Sequence, residues 1–249
     1  MNGAWAPTLG AVGIVSALSA VGAVTLVINP RTVERALLGL IAFAAGALLG
    51  DAFIHLLPEM AESESGFDLT ASFALLAGVI SFFVLEKVLH WHHAHYPREE
   101  HVHPVAVTNL VGDAMHNFVD GSIVAASFLA STKLGIATSV AVALHEIPQE
   151  LGDFAIFVRA GLKPRRALVL NLFSALAAVV GAVVTLVVAS SISGVERILV
   201  PITAGAFVYI ASTDLLPELH KEPELGRSLV QLFGVLAGVG VMALMLVLE

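Results

Sequence analysis

The chain has 249 residues, 57% hydrophobic and 13% charged, where an average soluble domain is about 25% charged; this composition is that of a membrane protein. There are no cysteines, which excludes disulfides, zinc–thiolate sites and iron–sulfur clusters. A net charge of −8 argues against nucleic acid as a partner.

Eight apolar segments are long enough to cross a bilayer. They span 7–28, 35–57, 69–89, 104–130, 134–158, 165–190, 198–217 and 227–248. The first thirty residues lack the basic leader of a signal peptide, so they are expected to remain as a span. The connections are short. The expected fold is therefore one all-α integral membrane domain over 1–249 with eight transmembrane helices. With the N-terminus outside, ten of the 12 basic residues fall on inside connections, and only Lys133 and Arg197 fall outside. The positive-inside rule then puts both termini outside. An odd number of spans would spoil this split. Short loops and the lack of cysteine point to a multi-pass protein of a plasma membrane, the inner membrane in a bacterium.

Segment 1 carries Gly10, Gly13, Ala17 and Ala20, and segment 8 carries Gly234 and Gly238. Small residues let helix backbones approach closely, so both sets are expected to serve packing. Segment 2 places Asp51, His55 and Glu59 on one helical face. Glu59 belongs at the membrane rim, whereas Asp51 and His55 sit deep enough to line a path. The connection 59–68 holds Glu59, Glu62, Glu64 and Asp68 and no basic residue. It is a solvated loop or an anionic mouth that concentrates cations. The third connection, 90–103, is expected to be cytoplasmic and holds six of the ten histidines. Such tracts can bind metal, although the spacing here defines no single geometry.

An internal repeat is also visible. Residues Ala45 to Glu59 align without gaps on Ala204 to Glu218; both copies end in Leu-Leu-Pro-Glu, and His55 matches Asp214. The copies fall in segments 2 and 7, so they are expected to run in opposite directions across the membrane. That is the pattern of an inverted-repeat transporter, with substrate held between the halves near the midplane. Segment 6 adds Asn171 and Ser174, read as interhelical hydrogen-bonding residues, with Asn171 also a candidate beside the ion.

Segments 4 and 5 carry two polar stripes. Asn109, Asp113, His116, Asn117 and Asp120 fall within an arc of about 100°, and His145, Glu146, Gln149, Glu150 and Asp153 within about 140°. Ionisable groups at membrane depth are costly and normally face a cavity or a bound ion. Pro148 has no N–H to offer the carbonyl of Leu144, so it is expected to interrupt the helix, which is tolerated where backbone lines a cavity. His116 and Asp120 are one turn apart and can share an ion, and Asn117 offers a neutral oxygen beside them. On the next helix His145 and Glu146 offer nitrogen and oxygen, with Gln149 one turn below. Zinc takes histidine nitrogen and carboxylate oxygen, usually with four ligands. A donor set without thiolate suits passage, because conduction needs binding weak enough to release. Asp51, His55, Asn109, Asp113, Glu150, Asp153, Asn171 and Asp214 are candidates for lining the pathway or supporting the ligands.

These residues resemble the ZIP (Zrt/Irt-like) family of divalent-metal transporters. NLVGDAMHNFVDG, from Asn109 to Gly121, is similar to the family's HNFxDG element. HEIPQELGDF, from His145 to Phe154, is similar to the HExPHExGDF signature of its histidine-rich subgroup. LLGDAFIHLLPE in segment 2, DLLPEL in segment 7 and the histidine-rich connection extend the likeness over nearly the whole chain. The resemblance implies eight helices with both termini outside, uptake of metal into the cytosol, a homodimer, and a binuclear site on helices 4 and 5. Carried over by motif position, its ligands are His116, Asn117, Asp120, His145, Glu146 and Gln149. The subgroup has histidine where this chain has Gln149, a weaker ligand that cannot titrate, and this puts bridging between two ions in question. His145 stands where zinc-preferring members have histidine. Zn²⁺ is therefore the expected substrate, and not a cofactor, with Fe²⁺, Mn²⁺ and Cd²⁺ as lesser ones.

Three rival readings are weaker. An intramembrane zinc protease needs HExxH, with the glutamate as general base; here Gln149 stands in place of the second histidine, so no enzyme is expected. A metal exporter of another family would also use intramembrane histidine and aspartate, but not this helix count and motif set. A non-transporting metal sensor would leave the two stripes and the repeat unexplained.

Overall fold

The computed structural model describes residues 3–26, 30–63, 66–94, 103–159, 161–192 and 194–248. All regular structure among them is helical and forms eight rods. α1 spans Trp5–Ala17 and winds on as tighter 3-10 turns over Leu18–Leu26. α2 spans Pro30–Gly50 and passes through a π-helical turn, Asp51–Leu56, into Leu57–Glu62. α3 is Leu69–Ala94, α4 His103–Ala130 and α5 Thr132–Arg159. α6 is Pro164–Ala175 and, after Leu176, Ala177–Ser191. α7 runs Glu196–Ile210, a π turn over Ala211–Leu215, then Leu216–His220. α8 is Leu225–Leu248. Residues 95–102, and with them the centre of the histidine-rich connection, lie outside the described residues.

Five rods contain stretches long and apolar enough to cross a membrane: Trp5–Ala23, Ala36–Glu62, Pro164–Ser191, Glu196–His220 and Leu225–Val247. Leu69–Leu85 is apolar but shorter. The protein is therefore an all-helical, multi-pass membrane protein. α4 and α5 stand apart from the five because the polar stripes interrupt their apolar sequence. Large apolar side chains such as Phe73 and Ile80 on α3, or Phe233 and Leu236 on α8, are exposed, as a lipid-facing surface requires.

The rods pair through glycines that let one backbone lie on another. α2 packs along α8, and α3 along α7. A Cβ on Gly46 would lie 2.1 Å from the carbonyl oxygen of Val235, and one on Gly205 would lie 2.1 Å from that of Leu75. Gly46 and Gly205 occupy the same position in the repeat. The π turns also fall in matching places, at Asp51–Leu56 and Ala211–Leu215. α4 packs along α6, where a Cβ on Gly121 would lie 1.8 Å from the Ala178 carbonyl oxygen and one on Gly181 would lie 1.9 Å from that of Phe118. Gly234 and Gly238 serve packing as expected: they seat α8 against Ala42 and Phe43 of α2.

Two expectations are corrected. Gly10, Gly13, Ala17 and Ala20 do not pack inward; all four are exposed, and nothing lies within 4 Å of a Cβ built on Gly10 or Gly13. α1 instead buries Thr8, Val12, Val15 and Ser16. The valines remove more apolar surface than alanines would, and the Ser16 hydroxyl reaches the Ala175 carbonyl at 2.8 Å. Nor does Pro148 break its helix, since α5 is continuous through it. The irregular backbone lies elsewhere, in the π turns of α2 and α7, a feature often found at functional sites.

Candidate metal centre

Four of the residues singled out on α4 and α5 meet in one cluster. His116, Asp120, His145 and Glu146 each offer a ligand atom, and these atoms all lie within 4.8 Å of one another. The Nε2 atoms of His116 and His145 are 3.3 Å apart. His145 Nε2 is 3.0 Å from Asp120 Oδ2 and 3.7 Å from Glu146 Oε1. His116 Nε2 is 3.7 Å and 3.8 Å from the same two oxygens. Four ligands at zinc distances of about 2.0–2.1 Å would be spaced by about 3.3 Å around a tetrahedron, so the cluster is close to the size that such an ion requires.

Helix geometry places these groups. His116 and Asp120 are one turn apart on α4 and point to the same side, while His145 and Glu146 approach from α5. His145 Nδ1 lies 3.3 Å from the Ala141 carbonyl oxygen one turn back. A proton on Nδ1 satisfies that carbonyl and leaves Nε2 as a lone pair facing Asp120, the arrangement of a metal-ligating imidazole. Asp120 and Glu146 are 1% exposed, and apart from the imidazole 3.0 Å from Asp120 Oδ2 no donor from outside the cluster reaches either oxygen of Asp120 or Oε1 of Glu146. Buried acceptors without donors are costly, and a divalent cation at the centre would satisfy them together. Aromatic rings close the cluster: Phe82 of α3 stands edge-on to His116 with centroids 6.4 Å apart, and Phe207 of α7 is 6.4 Å from His145. Neither ring stood out in the sequence, because a phenylalanine in an apolar helix gives no signal of what it faces.

Asn117 and Gln149 are placed differently. The Asn117 amide donates to Asp113 Oδ1 at 2.9 Å, and the Gln149 side chain also lies against Asp113. Both therefore belong to a second polar group about two turns along α4 from Asp120. There the Ser174 hydroxyl donates to Asp113 Oδ2 and the Asn171 amide to Glu150 Oε2. Asn109 donates to Asp153 Oδ1 at 3.0 Å. Asn171 and Ser174 thus do bond between helices.

Asp51 and His55 form a third, separate group in the π turn of α2. Their side chains are 3.3 Å apart, and the Thr138 hydroxyl of α5 donates to Asp51 Oδ2 at 2.9 Å. Both are buried. Asp214, their counterpart region in α7, is exposed, with the Thr213 hydroxyl on its carboxylate. At the rim, Glu59 and Arg197 help to line a cavity of about 290 Å³. The rim is not purely acidic: Asp68 accepts from the Ala71 N–H at 2.8 Å and from Arg197 at 2.6 Å. The Ala71 amide first, and then Arg197, hold the Asp68 carboxyl below the usual carboxylate range.

Fold and cluster together define a class: a multi-pass helical membrane protein whose centre carries nitrogen and oxygen donors spaced for a divalent metal. Comparison narrows it. The family model described as ZIP zinc transporter matches residues 3–106 and 92–246, and the chain belongs to that family. It is 40% identical over 220 residues to zinc transporter ZIP13 of Pongo abelii, covering 82% of this chain and 65% of that protein. It is 44% identical over 147 residues to zinc transporter ZIP10 of Danio rerio, covering 56% of this chain but only 17% of that protein. With zinc transporter SLC39A7 of Mus musculus the identity is 30% over 336 residues, 98% of this chain and 70% of that protein. The chain therefore spans less than two thirds of the length of two of these three relatives. The family consists of transporters, which sets the protease reading aside, and zinc in such a protein is cargo and not a cofactor.

Proposed function

We propose that this protein carries divalent metal ions, Zn²⁺ foremost, across its membrane into the cytosol, and that the ion is held in transit by His116, Asp120, His145 and Glu146. The observation that carries this reading is the buried four-residue cluster, in which two imidazole nitrogens and two buried carboxylates converge at metal-ligand spacing. The relatives' names as zinc transporters support the choice of metal. Fe²⁺, Mn²⁺ and Cd²⁺ are secondary substrates.

All eight rods cross the bilayer, with both termini outside. The distribution of basic residues supports this, and so does a pattern in the packing. Each repeat copy lies against one neighbouring rod through the same glycine position, α2 against α8 at Gly46 and α7 against α3 at Gly205. This is how an inverted repeat would assemble. The ion enters past the outer rim, sheds water at the cluster between α4 and α5, and leaves toward the histidine-rich connection. Release requires α4 and α5 to shift against a scaffold of α2, α3, α7 and α8, whose backbones are locked at their glycines. A homodimer in the plasma membrane completes the proposal.

Asp120→Ala is the variant that tests the site. Cells producing it should accumulate no more zinc than cells lacking the protein, at an unchanged level in the membrane. Near-normal accumulation would remove Asp120 from the site.

A further inference from the structure

The end of α6 that the proposed topology puts at the cytosol carries positive charge with no carboxylate to balance it. Arg159, Lys163, Arg165 and Arg166 fall within eight residues, and no acidic residue lies between Asp153 and Glu196. Lys163, Arg165 and Arg166 are exposed. Elsewhere on the surface Lys221 pairs with Glu218, Arg227 with Glu222 and Glu224, and Arg197 with Asp68; among the described residues no carboxylate pairs with the three cations of α6. The first turn of α6 also has no side-chain cap, so the positive end of the helix dipole adds to these side chains.

A second feature continues from this charge into the membrane. Arg166, Val169, Phe173, Leu176 and Val180 recur every three or four residues, and all are exposed, so a cation heads an apolar stripe along one face of α6. The stripe runs onto a cavity of about 580 Å³ between α4 and α6, lined by Val111, Met115 and Phe118 of α4 and by Ala177 and Val180 of α6. Every side chain that lines it is apolar. Ala177 is eleven residues beyond Arg166, about 16 Å along the helix, and the hydrocarbon of one leaflet is about 15 Å deep. A molecule with an anionic head at Arg166 and an acyl chain laid on the stripe would therefore end that chain in the cavity.

We propose that α4 and α6 form a binding site for one anionic phospholipid of the inner leaflet, its phosphate held by Lys163, Arg165 and Arg166 and one acyl chain seated in the cavity. Basic side chains at the cytosolic membrane surface attract anionic lipid, and a zwitterionic lipid brings no net charge to them. The end of the chain lies against Met115 and Phe118, on either side of His116 in the sequence. The lipid thus touches the same helix that supplies His116 and Asp120. Only the choice of leaflet rests on the transport reading, and lipid binding is measured with no metal present.

The test is photolabelling of the purified full-length protein in phosphatidylcholine nanodiscs that contain a small share of phosphatidylglycerol with a diazirine at the end of one acyl chain. Adducts should map to the peptides holding Met115, Phe118 and Val180. Unlabelled phosphatidylglycerol should displace them, and phosphatidylcholine or soluble glycerol phosphate should not. Lys163→Gln/Arg165→Gln/Arg166→Gln should cut labelling at least about tenfold, whereas Lys163→Arg/Arg165→Lys/Arg166→Lys, which keeps the charge, should stay within about threefold of wild type. Val180→Trp, at an exposed position that fills the cavity, should remove the adducts on Met115 without lowering the thermal unfolding temperature. Equal labelling by a phosphatidylcholine probe, labelling indifferent to loss of the three charges, or adducts spread as heavily over Phe73 of α3 and Phe233 of α8 would overturn the lipid site. Displacement by soluble glycerol phosphate would leave a free-phosphate site in its place, and adducts found on monomers but absent from dimers would give the cavity to a second copy of this chain; either result overturns it too.

Discussion

At the scale of the residue, the centre depends on two helices supplying unlike donors to one point. His145 is fixed by its contact with the Ala141 carbonyl, and Asp120 is held only by the groups an ion would join. Gln149 stands apart, beside Asp113. Gln149→His would place an imidazole beside Asp113, and zinc binding should strengthen severalfold or the preference among metals should shift. An unchanged metal profile in a competition assay would show that position 149 touches no ion. The four clustered residues were legible in the sequence because ionisable side chains at helical spacing in an apolar segment have few other uses. Thr138, which holds Asp51, was not: a threonine in a membrane helix ordinarily returns its hydroxyl to its own backbone, and only the packed structure shows one that reaches another helix. Asn117 and Gln149 were placed by motif, and rotamers that turn both toward Asp113 leave no trace in a motif.

At the scale of the element, close backbone contact decides which helices can move. Gly46 and Gly205 leave no room for a side chain, and a Cβ at either would meet a carbonyl oxygen at 2.1 Å. Gly46→Leu or Gly205→Leu should destabilise the protein by about 1–3 kcal/mol, the range of overpacked interiors. Gly10→Leu, on the open face of α1, should change stability by no more than about 0.5 kcal/mol. Thermal unfolding in detergent separates the two outcomes; equal losses at all three sites would mean that the helix pairing described here is wrong. The repeat could be read from Ala-Gly-Ala and Leu-Leu-Pro-Glu alone. The π turns could not, because an extra residue in a helical turn depends on what the helix packs against. The same reason explains α1: its small residues are periodic, but periodicity does not tell which face meets a neighbour when both faces are apolar.

At the scale of the whole molecule, the glycine-locked pairs α2–α8 and α3–α7 pack against α5 and α4, which carry the proposed metal path. Metal must displace protons from its ligands, so zinc uptake should fall as the outside is acidified from about pH 7.5 to about pH 5, the range in which histidine changes charge. The rim contact does not mimic this loss. The Asp68 carboxyl is held below its ordinary range, so its contact with Arg197 is present above that range and is lost only on acidification beyond it. Uptake that stays flat across the interval would show that ligand binding does not limit the rate.

The central claim is that the ion in transit sits between His116, Asp120, His145 and Glu146. Zinc flux into proteoliposomes, wild type beside His145→Ala at equal reconstitution, tests it most directly. Saturable entry in the wild type that is lost in the variant is the predicted result. Equal flux through both proteins, or zinc bound by the wild type but never moved, would contradict it.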